Sequence, residues 1–310
     1  MSTELSRRKF LAQLGLTALA LPVLTGFQAG GSGRISVPGL KLGYSAITWG
    51  GNDVQAIKDI AALGFKGVQL RSNVLKEYST KPQELKALLT QYKLELPMFS
   101  SGNANINTGD DEKVIQQHLD NAKFVKALGG QNIQITNSSR PKEGAPTTED
   151  LQKYGKLLNE IGRRSRDMGI VTNYHNHMHQ LGETPEEVDV ILSSCDPQNV
   201  KLELDIAHYH QGGGDPVAAI KKYQSRLNAL HLKDVRPKEG AEANSRAYTF
   251  VELGQGKVNL PGVFKALADV KFKGWGIVEL DSVPDKAKTP VQCAEITRKY
   301  LSSLGFKVQS

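Results

Sequence analysis

Beyond residue 40 the chain alternates between short apolar runs rich in β-type residues and longer stretches of helical period. Four strands are predicted at Leu42–Trp49, Gly67–Arg71, Glu95–Ser100 and Asn132–Thr136. Four more follow at Ile170–His175, Val200–Asp205, Leu227–Lys233 and Gly276–Leu280. Helix-like segments separate or follow them near 53–62, 82–92, 111–128, 148–168, 184–193, 215–224, 260–270 and 286–303. Several helix starts are marked by side chains that can accept the free backbone N–H groups of a first turn: Asn52-Asp53, Asp110-Asp111 and Thr148. Thr184 precedes Pro185, whose fixed φ suits a first helical position. Gly64, Gly129 and Gly169 fall where a helix must turn back into a strand.

Strand–helix alternation implies parallel strands joined by crossover helices. Eight such units match a (β/α)8 TIM barrel, here expected over residues 41–305. The main rival, an open doubly wound sheet, usually carries a glycine-rich phosphate turn after its first strand. Tyr44–Gly51 contains no G-x-G-x-x-G. No internal repeat or second domain is evident, and Pro237–Ala247 reads as a polar loop.

The same alternation points to chemistry. In the sixth strand Val200, Leu202 and Leu204 share one face, and Glu203 and Asp205 share the other. Leu230 and Leu232 oppose His231 and Lys233 in the seventh; Val278 and Leu280 oppose Glu279 in the eighth. The apolar sets suit the helix layer, so the polar sets point into the barrel mouth, where barrel enzymes keep their reacting groups. Six of the seven histidines lie within 175–231. An isolated imidazole or carboxylate buried there is costly, and a divalent cation would offset that cost. His175, Asp205, His231 and Glu279 supply two imidazoles and two carboxylates from four consecutive strands, which predicts one metal per chain. Mixed N/O ligation suits Mn, Co, Zn or Fe, whereas Mg prefers oxygen alone.

Composition and the N-terminus add a compartment. Ser6-Arg7-Arg8-Lys9-Phe10 is followed by an apolar run, Leu11–Phe27, and then by small residues. That order of charge, apolar stretch and small residues predicts a signal peptide over residues 1–30, with a short linker over 31–40. The paired arginines resemble a twin-arginine signal, which implies periplasmic export of an already folded chain. The run spans 17 residues and includes Gly15, Pro22 and Gly26, so no stable membrane span is expected after processing. A net charge of +7 without a dense Lys/Arg cluster gives no nucleic-acid stripe. Cys195 and Cys293 are too few for a disulfide framework and are taken as free or structural.

Five segments carry a resemblance. They are Gly64–Leu70, Tyr174–His177, Asp205–His208 with Gly212–Pro216, His231–Asp234, and Gly254-Gln255-Gly256. Together they resemble the xylose isomerase-like barrel superfamily of sugar phosphate isomerases and epimerases. The resemblance implies metal ligation by Asp205, His231 and Glu279. His175 stands where the epimerases place a second glutamate, and Gln69 where a Glu is common. Tyr174-His175-Asn176-His177 looks closer to the inosose dehydratase or keto-sugar members.

The expected activity is metal-dependent sugar isomerisation or epimerisation, by proton abstraction beside a metal-held carbonyl of a sugar or polyol. Loss of a β-oxygen from an inosose or keto-glycoside, a lyase reaction, is the alternative. Glu279, His177 and Lys233 are the expected catalytic groups; His208, Gln69 and Arg71 are the expected substrate contacts. Lys233 could instead be a structural ion pair with Asp234 or Glu203. A non-catalytic periplasmic sugar binder is the reading from another class. The superfamily's apurinic-site endonucleases need further His and Glu ligands on the second and third strands, which hold only Glu95.

Overall fold

The β-branched and leucine-rich runs pair side by side because each is apolar on its outward face and must be covered by a helix. The computed structural model describes residues 34–241 and 247–308. The expected signal peptide lies outside the described residues. Eight parallel strands close a barrel: β1 (Leu40–Ser45), β2 (Gly67–Arg71), β3 (Phe99–Asn103), β4 (Asn132–Thr136), β5 (Val171–His175), β6 (Val200–Asp205), β7 (Leu227–Leu232) and β10 (Gly274–Val278). Between the last two, β8 (Asp234–Pro237) and β9 (Tyr248–Val251) form an antiparallel hairpin. The longer helices are α1 (Asp53–Ala62), α2 (Pro82–Gln91), α3 (Asp111–Leu128), α4 (Thr148–Asp167), α5 (Pro185–Ser193), α6 (Leu260–Asp269) and α7 (Pro290–Ser303). No helix among the described residues is long and apolar enough to cross a membrane.

Local signals act as expected, with small shifts. Asn52 and Asp110 cap α1 and α3, and Thr184 caps α5 with Pro185 behind it. The start of α4 falls one residue early: Thr147, not Thr148, is the cap, because Asp150 returns a bond to its N–H. Gly129 ends α3 at φ 87, a left-handed conformation in which a side chain would be strained. The third strand differs more. Pro97 has no N–H for a ladder, so Glu95 makes only an isolated bridge to Gly67 and regular pairing begins at Phe99. Pro237–Ala247 joins the hairpin strands, whose pairing continues from Pro237 to Tyr248. Asp234 anchors that region by accepting the N–H groups of Val235, Gly254, Gly256 and Val258. Gly256 is required there: a Cβ would sit 2.1 Å from Asp234 Oδ1. Cys195 and Cys293 are both free and buried.

One buried group outside the barrel mouth has a measurable consequence. His118 on α3 is fully buried, with Nδ1 2.7 Å from Ser101 Oγ and no partner for Nε2. Burial lowers its pKa from 6.5 to about 4. Below pH about 6.5 the unfolded chain takes a proton there that the folded chain refuses until about pH 4, so stability falls as pH drops through that window. The loss approaches about 3 kcal/mol at its acid end. Denaturant unfolding of wild type and His118→Gln at pH 7 and pH 4.5 is expected to show a smaller acid loss, by about 2 kcal/mol, in the variant. Equal acid losses would exclude this role for His118.

Candidate metal centre

Strand register assembles the site. Asp205 and His231 are direct partners across β6 and β7, and His175 pairs with Glu203 across β5 and β6. Glu279, one residue beyond β10, donates its N–H to Leu232 O and so extends the ladder beside His231. The period of two then turns all these side chains to the barrel axis. His175, Asp205, His231 and Glu279 are buried, and each offers one ligand atom within 4.8 Å of the others. His175 Nε2 lies 2.9 Å from His231 Nδ1 and 3.5 Å from Asp205 Oδ2. His231 Nδ1 is 3.5 Å from Asp205 Oδ2 and 3.3 Å from Glu279 Oε1.

The surrounding bonds fix which atoms face this centre. His231 Nε2 lies 3.0 Å from Gln69 Oε1, an atom that can only accept, so Nε2 carries a proton and Nδ1 is the nitrogen turned to the centre. Gln69 Nε2 in turn donates to Gln134 Oε1, and Gln134 Nε2 to Thr136 Oγ1. Asp205 uses Oδ1 to accept the N–H groups of Ala207 and His208, while Oδ2 has no hydrogen-bond partner. Asn176 brackets the Asp205 backbone from both sides.

The residues fit a divalent cation: an orphaned, fully buried carboxylate oxygen converges with two imidazole nitrogens and a second carboxylate. The field agrees. Burial works against charge on His231, yet Glu203 and Glu279 overcome it and raise its pKa to about 9. A position that favours a proton this strongly favours a metal ion for the same reason. Burial also acts to raise Asp205 and Glu279, but their neighbours win. His208 and Lys233 hold Asp205 well below the usual range; His231 and Lys233 hold Glu279 at about 2.

A cleft of about 250 Å³ opens above the centre, with Arg71, His175, His177 and Glu279 in its wall. Of the sequence-predicted residues these four reach the cleft; the others stand behind it. Gln69 is fully buried, outside the cleft wall, and its Oε1 faces the His231 ring. His208 is held between Gln211 Oε1 at 3.0 Å and Lys233 Nζ at 3.3 Å. Lys233 is 1% exposed, beneath the Phe250 ring at 4.3 Å. Its ammonium pairs with Asp281 at 2.6 Å and Glu279 at 3.1 Å, not with Asp234 or Glu203. Those partners raise its pKa against the effect of burial, so it stays charged and steadies Glu279.

His177 donates Nδ1–H to Met178 O at 2.6 Å, which leaves the Nε2 lone pair. Burial lowers its pKa to about 4, so it is neutral.

Sequence reasoning misses two residues and leaves a third, Glu203, on the inward face with no role at the metal centre. Asp281 lines the cleft and lies two residues past Glu279; continuing the alternation one step would have found it. Phe250 sits in the hairpin, where no periodic signal points to the centre. Glu203, on the same strand face as Asp205, lies 3.4 Å from His231 Nε2 and has no hydrogen-bond partner. Burial raises its pKa to about 7.

Known proteins share this framework. An inosose dehydratase of Mesomycoplasma hyopneumoniae is 28% identical over 295 residues, covering 86% of this chain and 96% of that protein. Two solved structures share the fold. The IolI protein with a bound zinc atom has a TM-score of 0.70 at 18% identity, covering 86% of this chain and 99% of that one. The probable 3-DHS dehydratase AsbF of Bacillus anthracis has a TM-score of 0.69 at 20% identity, covering 84% and 98%. The family model described as xylose isomerase-like TIM barrel matches residues 57–299. On that match, the chain belongs to the xylose isomerase-like TIM barrel family.

Proposed function

We propose that the chain is a metal-dependent lyase that eliminates a β-oxygen from a keto-sugar or inosose. The observation that carries this reading is the make-up of the centre. Among its four ligand candidates Glu279 is the single carboxylate that reaches the cleft; the other candidate in the cleft wall, His175, is an imidazole, whereas symmetric epimerisation calls for two proton-transferring carboxylates. The likeness to inosose dehydratases over most of both chains supports the same reaction class.

A divalent cation held by His175, Asp205, His231 and Glu279 would supply Lewis acidity toward a substrate ketone and so acidify the neighbouring C–H. The protein's own groups do the rest. Glu279, ionised and steadied by Lys233, takes the α-proton. As the carbon–carbon double bond forms, the β carbon–oxygen bond breaks. Glu279 hands its proton to the departing oxygen, so a β-hydroxyl leaves as water. His177 accepts a hydrogen bond from a substrate hydroxyl through Nε2, and Arg71 contacts further oxygens from the cleft wall.

The test is a panel of inososes and keto-sugars with metal-loaded protein in D₂O, followed by NMR and mass spectrometry. A product lighter by one water, whose formation stops on chelation, is expected. A deuterated product of unchanged composition would replace elimination by isomerisation or epimerisation, and ligand binding without exchange would leave a sugar binder.

A further inference from the structure

A larger cavity, about 630 Å³, lies beside the reactive cleft on the same rim of the barrel. Asn103, Thr136 and Gln180 line the cleft. Asn105, Ser138 and Leu181, one or two residues further along the same three loops, line this trench. The two spaces therefore open side by side where β3, β4 and β5 end. At about 250 Å³ the cleft is below the usual size of a small-molecule pocket, about 300–1,000 Å³, and suits one ring. The trench is wide enough for more.

We propose that this trench is a second substrate subsite, which takes a neutral hydroxylated unit joined to the ring that sits against Glu279. The trench is a built structure. Ile106 N–H donates to Ser138 Oγ, Leu181 N–H to Ser138 O, and Ser139 N–H to Asn105 Oδ1. These bonds stitch the three loops together. They also prepare donors for a ligand. Asn105 is held through its carboxamide oxygen by Ser139, and Asn107 through its oxygen by Lys153. Among the described residues neither asparagine's Nδ2 group has a hydrogen-bond partner, and both residues line the trench. Ile106, Pro141 and Ala145 add apolar surface between them, the mixture that a sugar ring with one hydroxyl-rich edge matches.

The charge distribution selects a neutral ligand. Among the described residues Arg140 is the one cation in the wall, and its Nη1 is committed to both Glu187 oxygens, at 3.0 and 2.8 Å, and to Gln180 O. Glu143 and Asp150 stand in the same wall and Glu187 pairs with Arg140, so a phosphate would meet more negative than positive charge. The substrate class that fits both spaces is a two-unit glycoside carrying the ketone on one ring. This rests on the proposed elimination only for the identity of the cleft as the reacting site.

Calorimetry on the metal-loaded full chain tests it, with trehalose, cellobiose and lactose set against glucose and glucose 6-phosphate. At least one disaccharide is expected to bind about tenfold tighter than glucose, the gain of two modest hydrogen bonds. That gain is expected to vanish in Asn105→Ala/Asn107→Ala and in Ala145→Trp, with glucose affinity unchanged. The Ala145→Trp variant fills the trench without touching the stitching bonds, so it answers even if the asparagine variant misfolds. The subsite is overturned if no disaccharide gains over glucose, if both variants keep the gain, or if glucose 6-phosphate gains as much. Proton exchange on a keto-monosaccharide is read separately. Lost exchange with the disaccharide gain intact removes the elimination mechanism and leaves the subsite standing.

Discussion

Glu279→Gln is expected to slow α-proton exchange by about 10²–10⁴-fold, the usual cost of losing a general base, while keeping most of the metal. Glutamine preserves the shape and one carbonyl oxygen, so the group of four loses a charge but not a donor atom. It cannot accept the proton. Glu279 is the proposed base because it lies in the cleft wall and an ion pair with Lys233 at 3.1 Å keeps it ionised and ready to accept a proton. His175 offers less: its Nε2 faces the metal group, and burial lowers its pKa. A ligating imidazole must be neutral and has no second free base at the same atom. His175→Glu is therefore expected to retain metal and to add exchange from a second direction, because it supplies the missing carboxylate. Exchange rates followed by NMR in D₂O, at matched metal content, decide this. Wild-type exchange in Glu279→Gln would remove Glu279 as the base and move attention to His177.

The barrel was legible because its strands obey simple periods. A parallel strand covered by a helix shows its apolar face plainly, and the alternation of Leu202, Glu203, Leu204 and Asp205 reveals which side chains turn inward. The metal group was legible for the same reason, since all four residues lie at or just past strand ends. What alternation cannot show is depth. Gln69 and Lys233 have the right phase for the mouth, but each is roofed over or turned to a neighbour. Lys233 illustrates this: Phe250, 17 positions later in the hairpin, covers its ammonium. Sequence phase carries no information about that covering residue. Pro97 shows the other limit, because one missing N–H shifts a strand that hydropathy alone starts at Glu95.

Removing two ligand candidates together, Asp205→Ala/His231→Ala, is expected to take bound metal from about one ion per chain to near none. The pair is chosen because Asp205 and His231 are register partners deep in the barrel, 3.5 Å apart at their facing atoms. Asp205 has a second role, since Oδ1 caps the turn beginning at Ile206, and losing such a cap costs about 1 kcal/mol by itself. Asp205→Asn separates the two effects. Its amide oxygen can keep the cap, while an NH₂ replaces the orphaned Oδ2 that points at His175 and His231. A cation that binds the folded chain alone stabilises it by about 3 kcal/mol at a hundredfold excess over its Kd. Wild type should therefore unfold later when metal is added, and the double variant and Asp205→Asn should not respond. Elemental analysis with denaturant unfolding, each with and without added Zn or Mn, reads both quantities. Stoichiometric metal surviving in the double variant would place the ion elsewhere and would dissolve the assigned centre.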